Sequence, residues 1–171
     1  MIELNSFKDL TIEDLEAVVL KGEAIEISKE SIKHVEDSFN FLSSFAKDKI
    51  IYGVNTGFGP MAQYKVQDED QIALQYNLIR SHAAGAGDRI DDISVKAAMM
   101  VRLSAISKGF SGIHPSTIFL LRDMINHGIC PFIPKHGGVG ASGDLVQLAH
   151  LALTMIGEGK VSYKGEIRSS A

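Results

Sequence analysis

The sequence predicts a mainly α-helical fold carrying a few short strands. Three observations predict it. Apolar residues recur at intervals of three and four along much of the chain, the spacing that lines one face of an α-helix. Capping residues stand at the starts of these runs, and glycine or proline stands past their ends. The strand candidates are short and do not alternate regularly with helices, which disfavours a parallel α/β sheet.

Thr11 to Leu20 reads as a short helix, with Thr11 as N-cap and Ile12, Leu15, Val18 and Val19 on one face. The stretch "AIEIS" at Ala24 to Ser28 is a strand candidate. Ser28 to Lys47 is a helix whose Ile32, Val35, Phe39, Leu42 and Ala46 step by three and four. "KIIYGVNTGFGPM", Lys49 to Met61, reads as a short strand running into a glycine-rich loop. Asp68 to Ala84 is helical, with Ile72, Gln75 and Ile79 on one side. Asp92 to Lys108 is a helix capped by an aspartate and stopped by Gly109. Pro115 suits the first turn of a helix reaching His127, with Gly128 past its end. Residues 129–143, holding Pro131 and Pro134, read as a loop. Asp144 to Ile156 is a helix apolar on nearly all sides, the pattern of a helix buried in something larger or packed against other chains. "KVSYKGEIR" makes a hairpin about Lys164-Gly165. The apolar helix, followed only by this hairpin and "RSSA", leads us to expect that residues 1–171 are the front portion of a longer protein.

Bulk properties narrow the function. The 171 residues are 45% hydrophobic and 22% charged, an ordinary globular composition with material for a real core. The net charge of −4 gives no electrostatic case for nucleic acid. No run approaches the roughly 18 apolar residues of a membrane helix. The start, "MIELNSFKDL", lacks the apolar stretch of a secretory signal. Cys130, the single cysteine, allows no internal disulfide, which fits a reducing, cytoplasmic setting. His34, His114, His127, His136 and His150 show no metal-ligand spacing, so no metal is expected.

The richest segment is "HGGVGASGDLVQLAHLAL", His136 to Leu153. Gly138, Gly140 and Gly143 spell G-x-G-x-x-G, but a dinucleotide site needs an apolar strand in front. Two prolines in four positions precede it instead. A nucleophile elbow needs G-x-S-x-G, and Asp144 stands where the last glycine should be. A third chemistry is backbone cyclisation. The Gly143 nitrogen attacks the Ala141 carbonyl, one water is lost on closing the ring, and a second water lost from Ser142 leaves an electrophilic methylidene. Ala141 is small and Gly143 has no Cβ, so neither obstructs the bend. The electrophile would stand at the positive end of the following helix. On these residues alone, a glycine-rich turn capping a helix is the simpler reading.

"GGVGASGDLVQLAHLAL" resembles the signature of the aromatic amino acid ammonia-lyases and related aminomutases. Four further stretches resemble that family in the expected order: "YGVNTGFG" at Tyr52 to Gly59, "LIRSHAAGAGD" from Leu78, "VRLSAISKGFSGI" from Val101, and "PFIPKHGGVGASGDL" from Pro131. The likeness runs from about Ile50 onward. It implies the N-terminal part of a fumarase/aspartase-like all-α fold, with the C-terminal helical bundle lying beyond these residues. It also implies a homotetramer whose active sites combine several subunits.

The resemblance implies that Ala141, Ser142 and Gly143 form the cofactor 4-methylideneimidazole-5-one, MIO, with Ser142 supplying the methylidene carbon. It makes Tyr52 the catalytic base that removes a β-proton. A free tyrosine titrates at about 10, so the role calls for surroundings that favour the phenolate. Gly53, Gly57 and Gly59 become hinges of the loop that carries it. Taken without the family, Tyr52 is a half-buried tyrosine at a strand end. Ser81 and His82 become the substrate-side-chain selector. That pair favours L-histidine, giving urocanate and ammonia, though an imidazole can hydrogen-bond a phenol equally well. Tyrosine as substrate is therefore the first alternative, and a non-catalytic interaction module the second. Without the family, His82 is a helix-end histidine facing its own carbonyls. Residues that bind the substrate carboxylate are expected outside this chain, so residues 1–171 alone are expected to be inactive or nearly so.

Overall fold

The computed structural model describes residues 1–140 and 145–171. In chain order it has β1 (Ile2–Leu4), α1 (Ile12–Val19), β2 (Ile25–Ile27), α2 (Lys29–Phe45) and α3 (Gln71–His82). There follow β3 (Ala86–Arg89), α4 (Asp92–Ser107), α5 (Pro115–Asn126), β4 (Cys130–Pro131) and β5 (Pro134–His136). The chain ends with α6 (Leu145–Met155) and the hairpin of β6 (Lys160–Tyr163) and β7 (Glu166–Ser169). The fold is mainly α, as the periodicity predicts.

The caps behave as the sequence predicts. Thr11 accepts from the Asp14 amide while Asp14 accepts from the Thr11 amide, a capping box that starts α1. Ser28 caps α2 through the Ser31 amide, and Asp91 caps α4 through the Ser94 amide and hydroxyl. Those two bonds hold the Asp91 carboxyl below the usual carboxylate range. Pro115 takes the first turn of α5, with His114 as its cap.

Helix α4 is the centre of the core. Val95, Met99, Met100, Leu103 and Ile106 are all at most 2% exposed. They are met by Val18 of α1, Val35 of α2, and Ile118, Leu121 and Ile125 of α5. Burial of this apolar surface is the main favourable term in folding. The parallel pair β1–β2 closes one side, in register Ile2 with Ile25 and Leu4 with Ile27. Asn126 of α5 completes its edge: the side-chain amide donates to Ile25 O and its carbonyl accepts from Ile25 N, at 2.9 and 2.8 Å.

Two expectations are corrected. Lys49 to Tyr52 is no strand. Amides 54 and 55 fold back onto the Ile51 carbonyl, and Ile50 and Tyr52 are 67% and 64% exposed. The Asn55 side chain bonds Ile51 N and Lys49 O, which removes the need for a neighbouring strand. Residues 129–143 are not simply a loop either. β4 pairs antiparallel with β6, and β5 with β3. Both prolines are tolerated because β4 is an edge strand and β5 belongs to a two-stranded ribbon. Helix α3 carries no buried side chain, and its Ile72 is 72% exposed. No helix among the described residues is long and apolar enough to cross a membrane.

Candidate active site

The loop of Tyr52 is built on two buried polar residues. Asn55 is 3% exposed. Its amide donates to the Ala46 and Lys49 carbonyls at 3.1 and 2.7 Å, and its carbonyl accepts from Ile51 N at 2.8 Å. Thr56, fully buried, donates its hydroxyl to Gly57 O and accepts from Gly53 N. This pins both sides of Tyr52 while leaving the ring in solvent. The Tyr52 ring stands edge-on to Phe58, and its hydroxyl oxygen accepts from Gly59 N at 3.5 Å. Gly53 and Gly59 lie at φ +77° and +54°, where a side chain is strained. Gly57 has a different reason to be glycine: a Cβ there would lie 2.7 Å from Met61 Cβ. Gln75 of α3 donates to Gly53 O at 3.3 Å and ties the loop to α3.

Ser81 and His82 end α3. Ser81 is exposed and donates to the Leu78 carbonyl at 3.0 Å. His82 Nδ1 lies 2.9 Å from that same carbonyl and 3.1 Å from Ser81 Oγ. A carbonyl only accepts, so the bond assigns the proton to Nδ1 and leaves Nε2 of the neutral ring as an acceptor. The helix-end contact expected of an isolated histidine is present, and it is what fixes the tautomer.

Beyond the turn, α3 is held against α6. Arg80 makes a bidentate pair with Glu158, just past α6, at 2.8 and 2.5 Å. The Gly85 amide donates to His150 Nε2 of α6 at 3.0 Å. At residues 137–140, which lead into the Ala-Ser-Gly stretch, the backbone runs tightly over α6. A Cβ at Gly137 (φ +136°) would come 2.8 Å from Val146, and one at Gly138 would meet the Gln147 side-chain amide at 3.1 Å. Ala141, Ser142, Gly143 and Asp144 lie outside the described residues. Among the described residues, side chains do not fit at Gly137 and Gly138, and the buried Gln147 Oε1 has no hydrogen-bond partner.

A family model described as aromatic amino acid lyase matches residues 10–171. The chain belongs to the aromatic amino acid lyase family. It is 44% identical over 163 residues to histidine ammonia-lyase of Streptococcus pyogenes serotype M3, covering 95% of this chain and 32% of that protein. It superposes on the ergothioneine-degrading ergothionase of Treponema denticola with a TM-score of 0.93 and 31% identity, covering 99% of this chain and 34% of the other. The histidine ammonia-lyase of Trypanosoma cruzi matches with a TM-score of 0.87 and 32% identity, over 99% of this chain and 33% of the other. The chain thus spans about a third of the length of the curated relatives it matches.

For an aromatic amino acid lyase, the described residues place the Tyr52 loop, the Ser81–His82 pair and α6 in one connected series through Gln75 and Gly85. Sequence reasoning passed over three residues that make this connection. Asn55 lies within the Tyr52–Gly59 motif, but nothing there marks it as the anchor, and Gln75 lies in no motif. His150 reads in the sequence as a surface or satisfied core histidine, and only the fold brings it to Gly85. Cys130 is no nucleophile: burial, with Asp92 adding to it, pushes its thiol up to about 11. Among the described residues no group of three or more His, Cys, Asp or Glu could hold a metal ion.

Proposed function

We propose that this protein is the N-terminal part of an ammonia-lyase that converts L-histidine to urocanate and ammonia. Its MIO group would form from Ala141, Ser142 and Gly143, and when formed would supply an electrophilic exocyclic double bond toward the substrate. Tyr52, exposed on its pinned loop, removes the β-proton. The C–H electron pair becomes the new C=C bond, and the amine departs with the C–N pair as ammonia. Gly53 and Gly59 give the loop its turn, and Gly57 its close packing. Ser81 and His82 receive the substrate ring. The whole enzyme would be a soluble cytoplasmic homotetramer, and residues 1–171 alone would turn over little or nothing.

The observation that carries this reading is the contact of His82 Nδ1 with the Leu78 carbonyl. With Nδ1 committed to Leu78 O at 2.9 Å, Nε2 can accept a hydrogen bond from a ring N–H or O–H. Imidazole and phenol supply that donor, whereas a phenyl ring leaves the acceptor unmatched at a cost of about 1–3 kcal/mol. The 44% identity to a histidine ammonia-lyase favours imidazole of the two.

Two measurements test the reading. Intact-mass analysis of the purified chain is expected to show the loss of two waters; an undiminished mass counts against cofactor formation in these residues. Turnover is then followed by ultraviolet absorbance of the unsaturated acid, using protein of the relatives' full length. Histidine is expected to be the preferred substrate, and phenylalanine to be disfavoured at least about fivefold. Preference for tyrosine would replace the substrate, and absence of turnover with all three would favour a non-catalytic interaction module.

A further inference from the structure

His150 lies on α6, half-buried, with the Gly85 amide as its hydrogen-bond partner among the described residues. A ring nitrogen that accepts a hydrogen bond carries no proton, so the contact requires Nε2 bare and the neutral ring protonated at Nδ1. The approach is close: a Cβ on residue 85 would fall 2.9 Å from Nε2 and 3.1 Å from Pro134 of β5. On its other side, Gly85 Cα lies 3.2 Å from where a Gly137 Cβ would stand. One point therefore joins three segments. These are the turn after Ser81–His82, the strand leading into residues 141–143, and the helix that follows them.

We infer that His150 is a positioning residue, holding the Ser81–His82 end of α3 at a fixed place against β5 and α6, and that it does so only as the neutral imidazole. The functional meaning of this latch rests on the proposed selector role of Ser81 and His82. The titratable groups on the elements around His150 are Tyr76, Arg80 and His82 from α3, Asp88 and Arg89 from β3, Cys130 from β4, and Lys135 and His136 from β5. Arg80 is paired with Glu158, and Arg89 with Asp92. Helix α6 itself contributes no other charge. Burial pulls His150 below the ordinary histidine range, in the direction the geometry demands. Protonation puts N–H on both ring nitrogens, so Nε2–H then faces the Gly85 N–H and the latch opens.

The test is nuclear magnetic resonance on the purified chain, with Gly85 amide exchange and the His82 ring nitrogens as readouts. In the wild type, Gly85 exchange relative to its intrinsic rate is expected to rise about two- to tenfold on acidification through the midpoint of His150. His150→Gln, which places an uncharged acceptor near the position of Nε2, is expected to keep Gly85 protected and to flatten the pH profile. His150→Leu is expected to expose Gly85 at every pH and to shift the His82 nitrogen signals away from the Nδ1–H pattern, a change that Gln rescues. If the Leu variant does not fold, the wild-type and Gln pH profiles still decide. A flat wild-type profile, or a Gln variant that behaves like Leu, overturns the latch. Failure of the selector role shows separately, as a substrate preference indifferent to substitution of His82.

Discussion

Replacing Asn55 by alanine tests whether the Tyr52 loop is held by its base. The side chain is 3% exposed and makes three hydrogen bonds of 2.7, 2.8 and 3.1 Å to backbone groups of Ala46, Lys49 and Ile51. At about 1 kcal/mol net for each bond, the change removes about 3 kcal/mol, and an Ile51 amide left unpaired adds to the loss. Residues 49–66 lie outside the α4 core, so the loss is expected to appear as local opening. About 3 kcal/mol corresponds to roughly a hundredfold faster amide exchange in the loop. Hydrogen–deuterium exchange by mass spectrometry reads this directly, with peptides from α4 and α5 as internal reference. Asn55→Asp sharpens the argument. It keeps the acceptor for Ile51 but removes two donors and turns a negative charge toward two carbonyls. It is expected to open the loop at least as far at neutral pH and to recover partly when protonated. Loop exchange within threefold of wild type in the alanine variant would refute the reasoning, as would an aspartate variant indistinguishable from wild type.

Gly109→Ala is expected to cost about 2–4 kcal/mol, because residue 109 sits at φ +79° and its Cβ would lie 2.7 Å from His34 Cβ and 2.8 Å from His34 C. Gly128→Ala has the same strained backbone (φ +67°) but open space, so about 1 kcal/mol, or a Tm lowered by about 2–4 °C, is expected. Equal melting temperatures for the two would show that the contact with His34 is irrelevant. Cys130, with its thiol raised to about 11, is expected to resist iodoacetamide at pH 8 until the chain is denatured; labelling at the rate of a free thiol contradicts its burial. Stability is expected to depend on pH through His150. Its folded pKa lies below the ordinary value of 6.5, so the unfolded chain binds the proton first. That contribution is fully present above 6.5 and is lost as pH falls from there through the folded pKa. The urea midpoint should therefore drop between pH 8 and pH 5.5 by more in the wild type than in His150→Gln.

The helices were legible because their determinants are local. Thr11, Ser28 and Asp91 each bond an amide three residues on, and the stripe Ile32, Val35, Phe39 and Leu42 gives α2 its inward face. The hairpin at Lys164-Gly165 was legible for the same reason; its turn needs positive φ, and both residues have it. What escaped depends on partners far along the chain. β5 pairs with β3 almost fifty residues earlier, and its Pro134 argues against a strand unless its place in a two-stranded ribbon is known. Lys49 to Tyr52 has strand-like residues, yet the buried Asn55 captures its backbone first. The site divides in the same way. Tyr52, Ser81 and His82 stand out within their motifs, whereas the holding roles of Asn55 and His150, which lie inside quoted motifs, and of Gln75, which lies in none, become visible only in their contacts.

The glycines around residue 138 show why motif spacing alone misleads here. G-x-G-x-x-G would matter if the glycines opened the backbone toward a phosphate. In this fold Gly137 is required by Val146 and by Gly85, and Gly138 by the side chain of Gln147. Both are packed onto the helix that follows, with no outward cradle. Gly137 is not part of the spelled motif at all, and it bears the tightest approach. Gly140, at φ +70° with open space around it, is required by backbone conformation alone. The three positions thus have separate causes: Gly137 is pressed between α6 and the turn after His82, Gly138 against α6 alone, and Gly140 against nothing. That squeeze brings Gly137 against the turn that follows Ser81 and His82. Substituting Gly137 should therefore disturb α6 and the turn after His82 together, while a substitution at Gly140 should disturb the local turn alone.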